Sequence, residues 1–165
     1  NTGTYDEALL LIMERNGYPE ETYYTFSYSP VPNDTGGPGG IFCANTDDTR
    51  RIIGERQTAL LRELGARTAD ARTRQEVCRS SIEALATDPQ DLPFALLYEG
   101  DPDQPYATLV ASTGIAAGHP AAPILCTPDM HWPLARTMAE HEPCAVSAAD
   151  IPGALPTGFW EVPPS

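Results

Sequence analysis

The sequence predicts an α+β fold on antiparallel strands, about four of them, with helices packed on one face. Two observations carry this. Residues 22–45 and 92–112 each read as strand, turn and strand, and residues 49–69 and those from Thr73 onward read as helices set between the two hairpins.

The elements follow in order. Residues 4–16 place Leu9, Ile12 and Met13 at helical spacing and end on Asn16-Gly17, a helix-stop pair. Residues 22–29 then alternate, with Tyr24, Phe26 and Tyr28 on one face and Thr25, Ser27 and Ser29 on the other, the period of a strand. Pro30, Pro32, Asn33, Asp34 and the run Gly36-Gly37-Pro38-Gly39-Gly40 end that strand, and residues 41–45 resume an extended pattern. Tyr23, Tyr24, Phe26, Tyr28 and Phe42 are expected in the core. Along residues 49–69, Ile53, Gln57, Leu60, Leu64 and Arg67 fall at heptad steps. Two readings stay open: a surface helix lying on a sheet, or one half of a two-helix dimer seam.

Thr73-Arg74-Gln75-Glu76 matches a capping box, in which the threonine hydroxyl accepts from the backbone N–H three residues on and the glutamate reaches back. The helix it opens buries Val77, Cys78, Ser81, Ile82 and Leu85 and stops at Asp88-Pro89, with Cys78 as a small core residue. Residues 92–99, a loop over 100–105 and residues 106–112 form the second hairpin. Its segment Phe94-Ala95-Leu96-Leu97 is apolar on both faces and is expected as a central, doubly covered strand.

Composition narrows the function. Aspartate and glutamate total 23 against 10 arginines, with no lysine, and the net charge is −13. That charge disfavours nucleic-acid backbones and anionic membranes as partners. No apolar run reaches the length of a membrane span and no signal-peptide pattern is present. Cys43, Cys78, Cys126 and Cys144 are too few for a secreted disulfide framework, so a cytoplasmic setting is expected.

Chemistry-bearing residues cluster late in the chain. Cys126, His131, His141 and Cys144 make a Cys2His2 set of the composition zinc accepts, or else are core and loop residues. The glycine run at 36–40 lies between strands and opens no helix, so it reads as a turn and not as a nucleotide cradle. Glu20-Glu21, Asp47-Asp48 and the Asp101/Asp103 pair sit at turns and element ends, where solvation explains them. The nucleophile elbow, the phosphate-binding loop and the zinc-protease helix motif are absent from the sequence. No catalytic residue and no cofactor is predicted.

Asp6 to Gly17, Glu20 to Pro30 and Gly39-Gly40-Ile41-Phe42 leading into Asp47-Asp48-Thr49 resemble the last third of PAS domains in bacterial sensor histidine kinases. The likeness spans residues 4 to about 56. From about residue 59 onward, the helix at Thr73, the 92–112 hairpin, Gly118-His119-Pro120-Ala121-Ala122-Pro123, Trp132 to Arg136 and Gly153-Ala154-Leu155-Pro156 resemble the opening of GAF domains. Taken together, the likenesses imply three parts: residues 1–48 as the C-terminal part of a PAS-like domain, 49–71 as a linker helix, and 72–165 as the N-terminal part of a GAF-like domain. Both families place their last strand beside their first. The resemblance therefore implies a composite sheet in which the two hairpins pair, within one chain or swapped between two.

The function this implies is a non-catalytic sensory module of a larger signalling protein, a two-component histidine kinase by resemblance. It would act as a homodimer through the linker helix and alongside the other domains of the parent. Coupling residues would be Asp47, Asp48 and Thr49 at the strand-to-helix exit, with Ile53, Leu60 and Leu64 on the seam. A ligand-free dimerisation module and a metal protein using Cys126, His131, His141 and Cys144 are the alternatives.

Overall fold

The computed structural model describes residues 2–101 and 104–162. Among them the chain is α+β, with two small antiparallel three-stranded sheets and three α-helices. It divides into two compact units, one up to Thr58 and one from Ala59 onward.

The first unit holds β1 (Thr4–Met13), β2 (Glu20–Pro32) and β3 (Pro38–Asp47), in sheet order β1-β2-β3. Residues 4–13 are therefore a strand, where the spacing of Leu9, Ile12 and Met13 predicted a helix. The run Leu9-Leu10-Leu11-Ile12 fits either period, and pairing decides it: Leu9 to Met13 lie opposite Tyr24 to Glu20 across the β1–β2 hairpin. Asn16-Gly17 is the turn of that hairpin and not a helix stop, with Gly17 at φ +86° where a side chain would be strained. Between β2 and β3 the turn is tied by the Asn33 side chain, whose Oδ1 accepts from the N–H groups of Thr35 and Gly37. Strand structure then begins at Pro38, inside the glycine run assigned to the turn.

Helix α1 (Thr49–Thr68) leaves β3 after Asp48. The second unit contains α2 (Arg74–Leu85), β4 (Ala95–Gly100), β5 (Ala107–Thr113), β6 (Leu125–Cys126) and α3 (Leu134–Glu140). The capping box forms as read: the Thr73 hydroxyl accepts from Glu76 N–H at 3.1 Å, and the Glu76 carboxylate accepts from the N–H groups of Thr73 and Arg72. Helix α2 packs on β4 and β5.

The two hairpins do not share a sheet. β2 already has β1 on one edge and β3 on the other, while β5 lies between β4 and β6. For the same reason β4 is an edge strand, not the central one its apolar run suggested; its six residues are each half-buried. Pro102 and Asp103, within the predicted 100–105 loop, lie outside the described residues.

The buried residues are mostly small: Ala84, Ala107, Ala121, Ala122 and Cys126 with Ile151 and Asp88 in the second unit, and Thr22 with Tyr23 in the first. Of the expected core aromatics only Tyr23 is buried. Phe42 is 61% exposed and its neighbour Ile41 72%, because β3 is an edge strand with every residue exposed. Phe26 and Tyr28 instead meet edge to face, ring centres 5.5 Å apart. Among the described residues no helix is long and apolar enough to cross a membrane.

Candidate functional site: the strand-to-helix junction

The densest polar network of the first unit surrounds the start of α1. Backbone groups begin it. Asp48 N–H donates to the Tyr23 carbonyl at 2.9 Å, and Tyr23 N–H donates to Thr49 Oγ1 at 3.0 Å. The chain leaving β3 is thus held against the middle of β2. Asp47 Oδ1 accepts from Thr49 N–H at 3.0 Å, satisfying an N–H group that the helix itself leaves unpaired.

Asp48 is the hub. Its Oδ2 accepts from the Thr25 hydroxyl at 2.6 Å, and its Oδ1 accepts from the Arg51 guanidinium at 3.1 Å. These partners favour the ionised form: the Thr25 hydrogen bond first, then Arg51, hold the Asp48 carboxyl below its ordinary range. Asp47 is held low as well, chiefly by the hydrogen bonds from Thr49, with a further contribution from the Tyr24 hydroxyl 3.2 Å away. Arg15 approaches Asp47 at 4.0 Å while pairing with Glu20 at 3.1 Å.

A second tie lies two helical turns along. The Arg56 guanidinium grips the Glu21 carboxylate with both terminal nitrogens, at 2.6 and 3.0 Å, and the Tyr23 hydroxyl donates to the same carboxylate at 2.8 Å. Each side chain of the pair is only 16% exposed. A forked, charge-assisted contact of this kind fixes direction as well as distance. Helix α1 is therefore bound to β2 at Thr49 and again at Arg56.

The predicted coupling residues separate into two groups. Asp47, Asp48 and Thr49 belong to the junction. Ile53, Leu60 and Leu64 are half-buried on α1, together with Thr49, Ile52 and Arg56, whereas Gln57 and Arg67 of the heptad series are exposed. The covered stripe thus runs through Arg56 in place of Gln57. Sequence reading missed Thr25, Glu21, Tyr23 and Arg56. Arg56 stands seven residues after Thr49 on one helical face, and the Glu20-Glu21 pair opens β2, so opposite charges were placed to meet.

Cys126, His131, His141 and Cys144 are not gathered into a donor set, and among the described residues no group of three or more His, Cys, Asp or Glu side chains is placed to hold a metal ion. Cys126 is buried on β6 with its thiol 3.9 Å from the Trp132 carbonyl, and burial pushes that thiol up. His131 packs against Trp132 with the rings tilted by 57° and their centres 5.1 Å apart. His141 ends α3 with φ +55° and its N–H on the Thr137 carbonyl, and Cys144 is exposed. The third histidine, His119, accepts from Ala121 N–H at 3.1 Å inside a tight turn.

A hollow of about 260 Å³ lies between α3 and the β5–β6 edge, floored by Ala107 and Cys126 and walled by Tyr106, Leu134 and Met138.

No protein-family model, no curated protein and no solved structure matches this chain.

Proposed function

We propose that this chain is a non-catalytic sensory module of a larger bacterial signalling protein, with a sensor histidine kinase as parent and a cytoplasmic setting. PAS-like and GAF-like segments flank its linker helix in this reading. A change of ligand or partner at the modules alters the pose of residues 49–69, and that pose biases a two-state output.

The observation that carries the reading is the double fastening of α1 to β2. One fastening is made by Asp48 and Thr49 on Thr25 and Tyr23, the other by Arg56 on Glu21. A helix secured at two points two turns apart follows any movement of the strand beneath it, whereas a helix secured only by its cap frays independently. Dimerisation through α1 is part of the proposal. Every residue of this 20-residue helix is at least partly exposed, and Leu61, beside the Leu60 and Leu64 stripe, is 68% exposed.

Hydrogen exchange on the intact chain tests the relay. Asp48→Asn keeps the shape of the cap and weakens its charge-assisted bonds. The expected result is faster exchange from the first turn of α1 through Leu64. Acceleration confined to the first turn overturns the relay. Light scattering tests the dimer: Leu60→Glu with Leu64→Glu is expected to shift a dimer toward monomer, and a wild-type monomer at high concentration removes that part of the reading.

A further inference from the structure

We infer that the bulge in β1 and the cap of α1 are one coupled element, joined through the single hydroxyl of Thr25. In the β1–β2 ladder Asp6 faces Phe26 and the next matched pair is Leu9 with Tyr24. Two residues of β1, Glu7 and Ala8, therefore oppose Thr25 alone, which is a β-bulge. Ala8 sits there at φ +50°, in the left-handed region that a residue with a Cβ rarely occupies. Its N–H, turned out of the ladder, donates to Thr25 Oγ1 at 3.0 Å. The same oxygen donates its proton to Asp48 Oδ2 at 2.6 Å.

The direction of this chain of bonds is fixed by chemistry. An amide N–H only donates and an ionised carboxylate only accepts, so the hydroxyl between them must accept from Ala8 and donate to Asp48. A hydroxyl that accepts a hydrogen bond is polarised into a stronger donor. The bulged state of β1 thus strengthens the cap of α1. Straightening β1 takes Ala8 out of its strained conformation, withdraws its N–H from Thr25 and shifts the register of residues 4–6 by one position, turning their side chains to the other face. β1 therefore has two arrangements, and the head of α1 senses which one is present. This deepens the relay reading and rests on it for its use, since it names where a signal reaching the sheet edge is registered.

Residue-resolved hydrogen exchange on the intact chain tests it, with the amides of α2 as an internal reference in the other unit. Ala8→Gly keeps the N–H and removes the penalty for positive φ, so it holds the bulge more firmly. The expected result is about two- to five-fold slower exchange at the first turn of α1, the effect of a modest gain in a single contact. Thr25→Val removes the hydroxyl with little change of shape. It is expected to speed exchange at the same amides by about five- to ten-fold, and in that background Ala8→Gly is expected to have no effect on α1. Thr25→Ser, which keeps the hydroxyl, restores the effect of Ala8→Gly. Equal effects of Ala8→Gly in the threonine and valine backgrounds, or none in either, overturn the coupling. Failure of the signal to reach Leu64 counts against the relay alone, because coupling of Ala8 to the first turn is read separately.

Discussion

Replacing Arg56 by methionine tests whether α1 is held to β2 by a buried charge pair or by packing. Methionine keeps much of the stem's apolar contact and removes the forked contact to Glu21, whose nitrogen–oxygen distances are 2.6 and 3.0 Å, together with the 3.5 Å approach of the guanidinium to the Tyr23 hydroxyl. Two opposite charges about 4 Å apart attract by about 4 kcal/mol at an effective dielectric near 20, and desolvation of both groups offsets a large part of that. Exposed pairs are worth about 0–1 kcal/mol, while stranding one partner of a buried pair costs about 3–5 kcal/mol. With 16% of each side chain exposed the pair stands nearer the second case. Arg56→Met is therefore expected to destabilise β2 and the first half of α1 by about 2–3 kcal/mol, because it leaves the Glu21 carboxylate in a partly desolvated site. Combining it with Glu21→Gln, which removes the stranded charge and still accepts from Tyr23, should recover at least about 1 kcal/mol of that loss. Opening free energies from native-state hydrogen exchange at β2 and α1 amides give the numbers. A single variant within about 0.5 kcal/mol of wild type, or a double variant no better than the single, shows that packing holds the helix and that the pair is a rim contact.

Three further outcomes follow from the second unit. The Tyr98 hydroxyl donates to the Pro123 carbonyl at 2.7 Å, and burial, with the Cys126 thiol as the lesser cause, pushes its pKa up to about 12. Because the folded value is raised, the stabilising contribution is whole below the ordinary tyrosine value near 10 and is lost as pH climbs through about 12; ultraviolet titration should show one late-ionising tyrosine that Tyr98→Phe deletes. At the capping box, the N–H groups of Arg72 and Thr73 hold the Glu76 carboxyl below its usual 4.5. Its contribution is present above that pH and fades as pH falls through the lowered folded value, so helix content followed by circular dichroism should lose an acid-dependent component in Glu76→Gln, while Thr73→Ala costs about 1 kcal/mol at neutral pH. Gly158 has φ +62°, and a Cβ there would stand 2.5 Å from the Pro89 carbonyl and 2.8 Å from Pro93 Cα. Gly158→Ala should therefore destabilise the second unit by about 1–3 kcal/mol in denaturant unfolding, and a neutral result contradicts the close approach.

What the sequence made legible were features whose signal is local. The Thr73–Glu76 box, the helix over 49–69 and the strand through Tyr24, Phe26 and Tyr28 each need only neighbouring residues; the box and the strand are present, and the helix runs over Thr49–Thr68. Features that depend on which segments pair were not legible. Leu9 to Met13 carry helical spacing, yet the β2 residues across from them draw them into a ladder. Phe94 to Leu97 look doubly covered, but β6, a two-residue strand with no propensity signature, pairs with the far side of β5, so β5 is the inner strand and β4 stays at the edge. At the candidate site the capping acids were visible because helix starts favour them. Thr25, Glu21 and Arg56 were hidden because a strand threonine and a surface ion pair are common residues until a fold brings them together. For Cys126, His131, His141 and Cys144, proximity along the chain suggested a ligand set or core and loop residues, and the structure places Cys126 in the core, His131 beside Trp132, His141 at the end of α3 and Cys144 at the surface.

The anchoring of Trp160 has a consequence for biosynthesis. Its indole N–H meets the Gln90 carbonyl across 70 positions, with Phe159 N–H on Pro89 beside it, whereas the Arg56–Glu21 tie of the first unit reaches across 35. On the ribosome the Arg56–Glu21 tie can close once Arg56 has emerged. The Trp160 anchor of the later unit cannot form, and the Gln90 oxygen stays hydrated, until Trp160 itself has left the exit tunnel.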